Sequence, residues 1–115
     1  MIDLCALRKI QTALRQYEDR LREDTGLSLN EALCLCSINR GYQEPGLIAR
    51  EMELSPSRLT RILDTLEEHR LVERKIGDGD RRNIAVSLTY AGRELLMKYQ
   101  CSDIELPEAL AFTRE

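Results

Sequence analysis

The chain of 115 residues is long enough for one domain with its own core, and its 43% apolar and 32% charged residues exclude the disordered and membrane-spanning classes. Its net charge of −3 excludes a chain-wide positive field, although residues 55–101 are net basic, with nine basic and seven acidic side chains. The start Met1-Ile2-Asp3 lacks the basic and apolar segments of a signal peptide, so we expect a cytoplasmic protein.

The first predicted element is an amphipathic helix over residues 2–23. Apolar residues recur at alternating spacings of three and four, while charged residues such as Arg8 and Arg15 fill the other faces. Such a seam packs either on the core of its own domain or on a partner subunit, and the pattern does not decide between the two. The candidate dimer interface consists of Leu7, Ile10, Leu14, Tyr17 and Leu21.

Two shorter helices come next in the chain. Gly26 ends the first helix, Ser28 or Asn30 caps the second, and Gly41 stops it. A connector ending in Pro45-Gly46 leads into the third. On the second helix, the residues predicted to face the core are Leu29, Leu33 and Cys36, with Ile38 as a further candidate. The third helix is predicted from Leu47, Ile48 and Met52.

A fourth helix is predicted over residues 56–69, because Ser55-Pro56 combines a preferred N-cap residue with proline at the first helical position. Its apolar stripe is Leu59, Ile62, Leu63 and Leu66. The opposite face is either solvated and involved in structural ion pairs, or it contacts DNA through hydroxyl and guanidinium groups. The candidate DNA-binding residues there are Ser57, Arg58, Thr60, Arg61 and Thr65.

The period at which apolar residues recur then changes from 3.6 to 2 residues over positions 72–76 and 84–88. These two stretches lie on either side of a segment rich in turn-forming residues. This predicts a β-hairpin, or wing, with its loop at residues 77–83. Arginines on such a loop can enter a narrow minor groove. The candidates on this loop are Asp80, Arg81 and Arg82, where Asp80 either steers an arginine or makes the turn.

The last predicted helix is capped by Thr89 and has Ala91, Leu95 and Tyr99 on one side, and Pro107 interrupts the segment beyond it. The predicted fold class is mainly α with a small β-hairpin wing, a winged helix-turn-helix. We expect a single domain over residues 1–115. Its parts are the helix at 2–23, the winged helix-turn-helix core at 28–88, and a C-terminal helix and acidic tail at 89–115.

The run Asp78-x-Asp80-Arg81-Arg82-x-x-x-Val86-x-Leu88-Thr89-x-x-Gly92 resembles the wing signature of MarR-type transcriptional regulators. The stretch from Ser57 to Arg74 is similar to their recognition helix and first wing strand. The resemblance implies a homodimer on a pseudo-palindromic DNA operator. It also implies that helix 56–69 enters the major groove and wing 77–83 the minor groove, with Arg82 inserted. The short C-terminal part departs from typical members and is closer in length to SarA-type relatives.

No catalytic, cofactor or metal-binding motif accompanies this pattern, and nothing supports a small-molecule effector. The four cysteines are Cys5, Cys34, Cys36 and Cys101, and their spacing favours small buried apolar residues over a metal or redox site. The alternative to a DNA-binding regulator is a winged-helix module for protein–protein assembly, which the net negative charge suits. Binding to random duplex DNA at low salt separates the two hypotheses.

Overall fold

The computed structural model describes residues 3–76 and 84–100. Contacts divide the chain into two compact units, and the boundary falls between Leu29 and Asn30. The elements in chain order are α1 (Leu4–Thr25), α2 (Leu29–Asn39), α3 (Pro45–Met52), α4 (Pro56–Glu68), β1 (Val72–Ile76), β2 (Ile84–Leu88) and α5 (Tyr90–Gln100). The predicted mainly helical class with a small hairpin is confirmed.

In the first unit, α1 begins and ends at capping residues of the expected kind. The Asp3 carboxylate accepts a hydrogen bond from the Ala6 N–H at 2.8 Å. Gly26 closes the helix in the left-handed region, with φ 78°. The Thr25 hydroxyl then accepts from the Leu27 N–H at 3.1 Å. The predicted first helix is confirmed, with its ends shifted by two residues.

The second unit packs α2, α3, α4, the hairpin and α5 on one apolar core. β1 and β2 pair antiparallel, from Val72 opposite Leu88 to Ile76 opposite Ile84, so the predicted hairpin strands are confirmed. The Val86 N–H donates to the Gln43 carbonyl at 2.8 Å, which attaches β2 to the connector before α3. The buried side chains of this unit include Cys34, Leu35, Ile38, Ile48, Leu59, Leu63, Leu66, Val72, Val86 and Leu96.

The predicted inward face of α2 is partly wrong. Ile38 is buried as expected, but Cys34 and Leu35 take the inner positions, and Leu33 is 45% exposed. Apolar residues occur on nearly every side of α2, so their spacing does not single out one face. Tertiary packing therefore selects the face, and the periodicity cannot. In α3, Ile48 is buried and Leu47 is exposed.

The side of α5 that is buried is not the one formed by Ala91, Leu95 and Tyr99. Ala91 is exposed, while Leu95 and Tyr99 are half-buried. Gly92 and Leu96 are the buried positions instead. Because glycine has no apolar side chain, the hydrophobic pattern does not indicate that α5 comes closest to the Leu71 backbone at Gly92. No helix of the described ranges is long and apolar enough to cross a membrane.

Candidate nucleic-acid interface

A tight turn joins α3 to α4. Glu53 caps α3 in the left-handed region, with φ 55°, and the Leu54 N–H donates to the Ala49 carbonyl at 2.9 Å. The Ser55 side chain then accepts from the Arg58 N–H at 3.3 Å, and Pro56 occupies the first turn of α4. The predicted start signal is therefore confirmed. The result is a helix-turn-helix whose second helix has a fixed start.

The inner stripe of α4 holds the helix on the core. Leu59, Leu63 and Leu66 are at most 2% exposed, and Ile62 is half-buried. Because these side chains are spaced i, i+4 and i+7, they fix the rotation of α4 about its axis. The opposite side of the helix is consequently presented to solvent in one orientation.

The candidate DNA-binding residues of α4 lie on this outward side. Thr65 is half-buried, whereas the remaining four are exposed: Ser57, Arg58, Thr60 and Arg61. The Thr60 hydroxyl donates to the Pro56 carbonyl at 2.9 Å, which leaves its oxygen free to act only as an acceptor. Neither Arg58 nor Arg61 forms an ion pair with any other residue in the described ranges.

The C-terminal half of α4 forms an ion-pair cluster whose basic partner the sequence does not identify. Arg74 on β1 places Nη2 2.7 Å from Asp64 Oδ1 and 2.8 Å from Glu67 Oε1. Hydrogen bonding from the Arg74 guanidinium lowers the pKa of Glu67, and the same bond raises the pKa of Arg74. Arg74 lies 10 and 7 positions beyond these two acidic residues and on a different element, so no helical or strand period relates them.

Backbone hydrogen bonds and the Thr89 hydroxyl hold the junction between α4, the hairpin and α5 together. Arg70 follows α4 in the left-handed region, with φ 59°, and the Leu71 N–H donates to the Leu66 carbonyl at 2.9 Å. The Thr89 hydroxyl donates to the Arg70 carbonyl at 2.7 Å and accepts from the Gly92 N–H at 3.1 Å. Thr89 thus caps α5, as predicted, and also ties that cap to the end of α4.

The wing candidates Asp80, Arg81 and Arg82 lie outside the described residues. For the α1 seam, Leu7 and Leu14 are 44% and 41% exposed in the single chain, Ile10 and Tyr17 are half-buried, and Leu21 is buried. Leu21 is thus covered by its own chain. The role of the seam as a dimer interface stays a prediction.

The cysteines divide by environment. Cys34 is buried, and this burial raises the pKa of its thiol to about 12. Cys36 is half-buried and lines an open groove of about 480 Å³ between α2 and α3. Cys5 is exposed in the first turns of α1, so the expectation that the cysteines are buried is wrong there, and Cys101 lies outside the described residues. In the described ranges, no group of three acidic, cysteine or histidine side chains could hold a metal ion.

The helix-turn-helix and hairpin together match one known protein family. The sequence profile of the MarR family matches residues 27–84, which is half of the chain and includes the helix-turn-helix and β1, ending at the first residue of β2. The chain belongs to the MarR family. No curated protein matches its sequence.

Solved structures of MarR-family proteins share the fold. E. coli MarR in its reduced form superimposes with a TM-score of 0.73 at 23% identity, over 87% of this chain and 75% of that one. Streptococcus pneumoniae FabT in complex with DNA gives 0.71 at 24% identity, over 78% and 65%. The S. aureus MepR–DNA complex gives 0.68 at 20% identity, over 81% and 77%. The winged helix-turn-helix architecture of this MarR-family chain is therefore confirmed.

Proposed function

We propose that this chain is a sequence-specific double-stranded DNA-binding transcriptional regulator with α4 as its recognition helix. The observation that carries the proposal is the outward side of α4, where Arg58 and Arg61 project from a helix that buried leucines hold at a fixed rotation. Arginine can pair bidentately with guanine in the major groove, and serine hydroxyls and N-terminal amides can hold phosphates.

Thr60 contributes to this surface in a restricted way. Its hydroxyl proton is used within α4, in the bond to the Pro56 carbonyl. Toward a base edge, Thr60 can therefore accept a hydrogen bond through its oxygen or contact a thymine methyl through its own methyl group, but it cannot donate. Because Thr60→Val keeps a methyl group and removes only the acceptor oxygen, we expect it to weaken DNA binding less than substitutions at Arg61.

The wing completes the proposed interface. Residues 77–83 connect β1 to β2, and Arg82, with Asp80 and Arg81 beside it, is the candidate for a minor-groove contact. DNA-bound structures of FabT and MepR, which share this fold, support the assignment of nucleic acid as the ligand. The role is binding and not catalysis.

We further propose that the regulator is a cytoplasmic homodimer on a pseudo-palindromic operator. Leu7 and Leu14 leave large apolar side chains exposed on one side of α1, seven residues apart, and Ile10 lies between them. A two-fold dimer would present two copies of α4 to half-sites about one helical turn of DNA apart.

The test begins with selection of a bound sequence from a random duplex library, followed by affinity measurements over a range of salt concentrations. Arg61→Ala should lower affinity for the selected site by about 1–3 kcal/mol and relax the base preference. Arg82→Ala should weaken binding to selected and random duplexes together and reduce the salt slope by about one.

Arg15→Ala is the matched control, because it removes an exposed arginine outside the helix-turn-helix and should change neither affinity nor base preference. If the wild type binds no duplex even at low salt, the regulator proposal is wrong, and the result supports the alternative of a protein–protein assembly module. If it binds but Arg82→Ala behaves as the wild type, the wing is not a DNA contact.

A further inference from the structure

Three side chains connect the proposed recognition helix to the wing. We call them the Arg74 clamp: Arg74 on β1, with Asp64 and Glu67 on α4. We propose that this clamp sets the orientation of the hairpin relative to α4, which makes Arg74 a positioning residue for DNA recognition. The inference rests on the proposed function and adds a determinant of specificity that itself need not touch DNA.

The clamp geometry is that of a rigid joint. Arg74 donates through Nη2 to both carboxylates and through Nε to Glu67 Oε2 at 3.4 Å. The two carboxylates are three residues apart, hence adjacent on one side of the helix. The Arg74 side chain is only 25% exposed. Because a planar guanidinium fixes the direction of its donors, two acceptors from one helix constrain β1 in rotation as well as in distance.

The hairpin needs such a joint, since a two-stranded sheet has little stability of its own. β2 is attached through the Val86 bond to Gln43. The buried Val72 anchors the start of β1, but the backbone of β1 pairs only with β2 in the described sheet. At its start, β1 follows α4 after a turn that ends at Leu71. The Arg74 clamp is a second attachment of β1 to α4, midway along the strand.

The clamp joins the two elements from which the proposed DNA contacts extend, α4 and the hairpin. Asp64 is three residues beyond Arg61 on the outward side of α4, and β1 ends at Ile76, where the wing loop begins. Specific binding requires α4 and the wing to reach their grooves at once, and a preorganised arrangement avoids an ordering cost at binding. Non-specific binding through phosphates depends less on this geometry. Loosening the joint should therefore reduce specificity more than overall affinity.

The competing explanation is electrostatic. Two carboxylates beside a DNA-facing surface repel phosphates, and Arg74 would then act only by neutralising them. The two explanations separate in a pair of variants with opposite charge changes. Arg74→Met removes a positive charge, whereas Asp64→Ala combined with Glu67→Ala removes two negative charges, and both variants open the clamp.

The experiment measures the ratio of affinities for a selected site and a random duplex of equal length. With a positioning role, both variants should lower this ratio by about tenfold, although the double alanine variant gains non-specific affinity. Arg74→Lys should also lower this ratio, because an ammonium group keeps the charge but lacks the planar set of donors that holds two carboxylates in a fixed direction. Lys75→Met is the matched control, since it removes the same charge from the opposite side of β1 and should keep the ratio.

An unchanged ratio in both clamp-opening variants, or a wild-type ratio in Arg74→Lys, would overturn the proposal and leave a charge effect. Circular dichroism of every variant checks that the fold is intact, and Arg74→Lys supplies the test if Arg74→Met does not fold. Failure of the proposed function has a different signature, because the wild type itself would then bind no duplex.

Discussion

Gly92 lies where α5 comes closest to the chain that leaves α4, and Gly92→Ala tests that contact. A Cβ added at Gly92 would lie 3.2 Å from the carbonyl carbon of Leu71 and far inside van der Waals contact with its oxygen. The Leu71 backbone cannot easily retreat. Its N–H donates to the Leu66 carbonyl at 2.9 Å, and its own carbonyl accepts from the Thr89 N–H at 3.0 Å. The added methyl group must therefore displace α5 or break the bond to Thr89.

The expected cost can be worked out from these contacts. Forcing extra atoms into a packed site costs about 1–3 kcal/mol, and the weakened Thr89 bond adds about 1 kcal/mol. The higher helix propensity of alanine returns up to about 1 kcal/mol. We expect Gly92→Ala to lower the free energy of unfolding by about 2 kcal/mol. For a chain of this size, that corresponds to a melting temperature lower by about 8 °C.

Gly46→Ala in α3 is the matched control for this prediction. There the added Cβ would meet only the end of the flexible Glu44 side chain, at 2.7 Å, and no backbone atom. The same substitution should thus be neutral or stabilising by a few tenths of a kcal/mol. Both variants are compared with the wild type by urea unfolding and thermal melting followed by circular dichroism. A Gly92→Ala protein as stable as the wild type would show that the Leu71 backbone yields, which would refute the reasoning.

Three further predictions concern assembly, the buried thiol and the turn before α4. Leu14→Glu should convert a homodimer to a folded monomer in light scattering, because it buries an unpaired charge in the proposed interface; a folded variant that remains dimeric would exclude the seam. The raised pKa of Cys34 means that stability is complete below pH 9, the ordinary thiol value, and falls as the pH rises toward about 12. Cys34→Ala should flatten that part of the unfolding profile, and an equally steep decline in this variant would contradict the assignment. Glu53→Gly should raise the free energy of unfolding by about 1 kcal/mol, since glycine adopts the left-handed backbone without strain, and a lower melting temperature would argue against it.

Local signals in the sequence were sufficient to predict several of the elements. Ser55-Pro56 predicted where α4 begins, Gly26 where α1 ends, and the change of period from 3.6 to 2 located both hairpin strands. The stripe of α4 was predicted correctly, and with it the outward side that carries Arg58 and Arg61. These signals suffice because caps, turns and amphipathic periods act over a few residues.

Tertiary structure decided what no local period encodes. The buried face of α2 depends on which of its several apolar sides meets the core. Cys34 and Leu35 are buried there, whereas Leu33, which was predicted to face inward, is exposed. The rotation of α5 follows from the absence of a side chain at Gly92, a position that adds nothing to a hydrophobic pattern. In the sequence, Arg74 is one more charge on an alternating strand. Only the packing of β1 beside α4 brings it between two carboxylates, because the three side chains meet through the fold and not through their spacing.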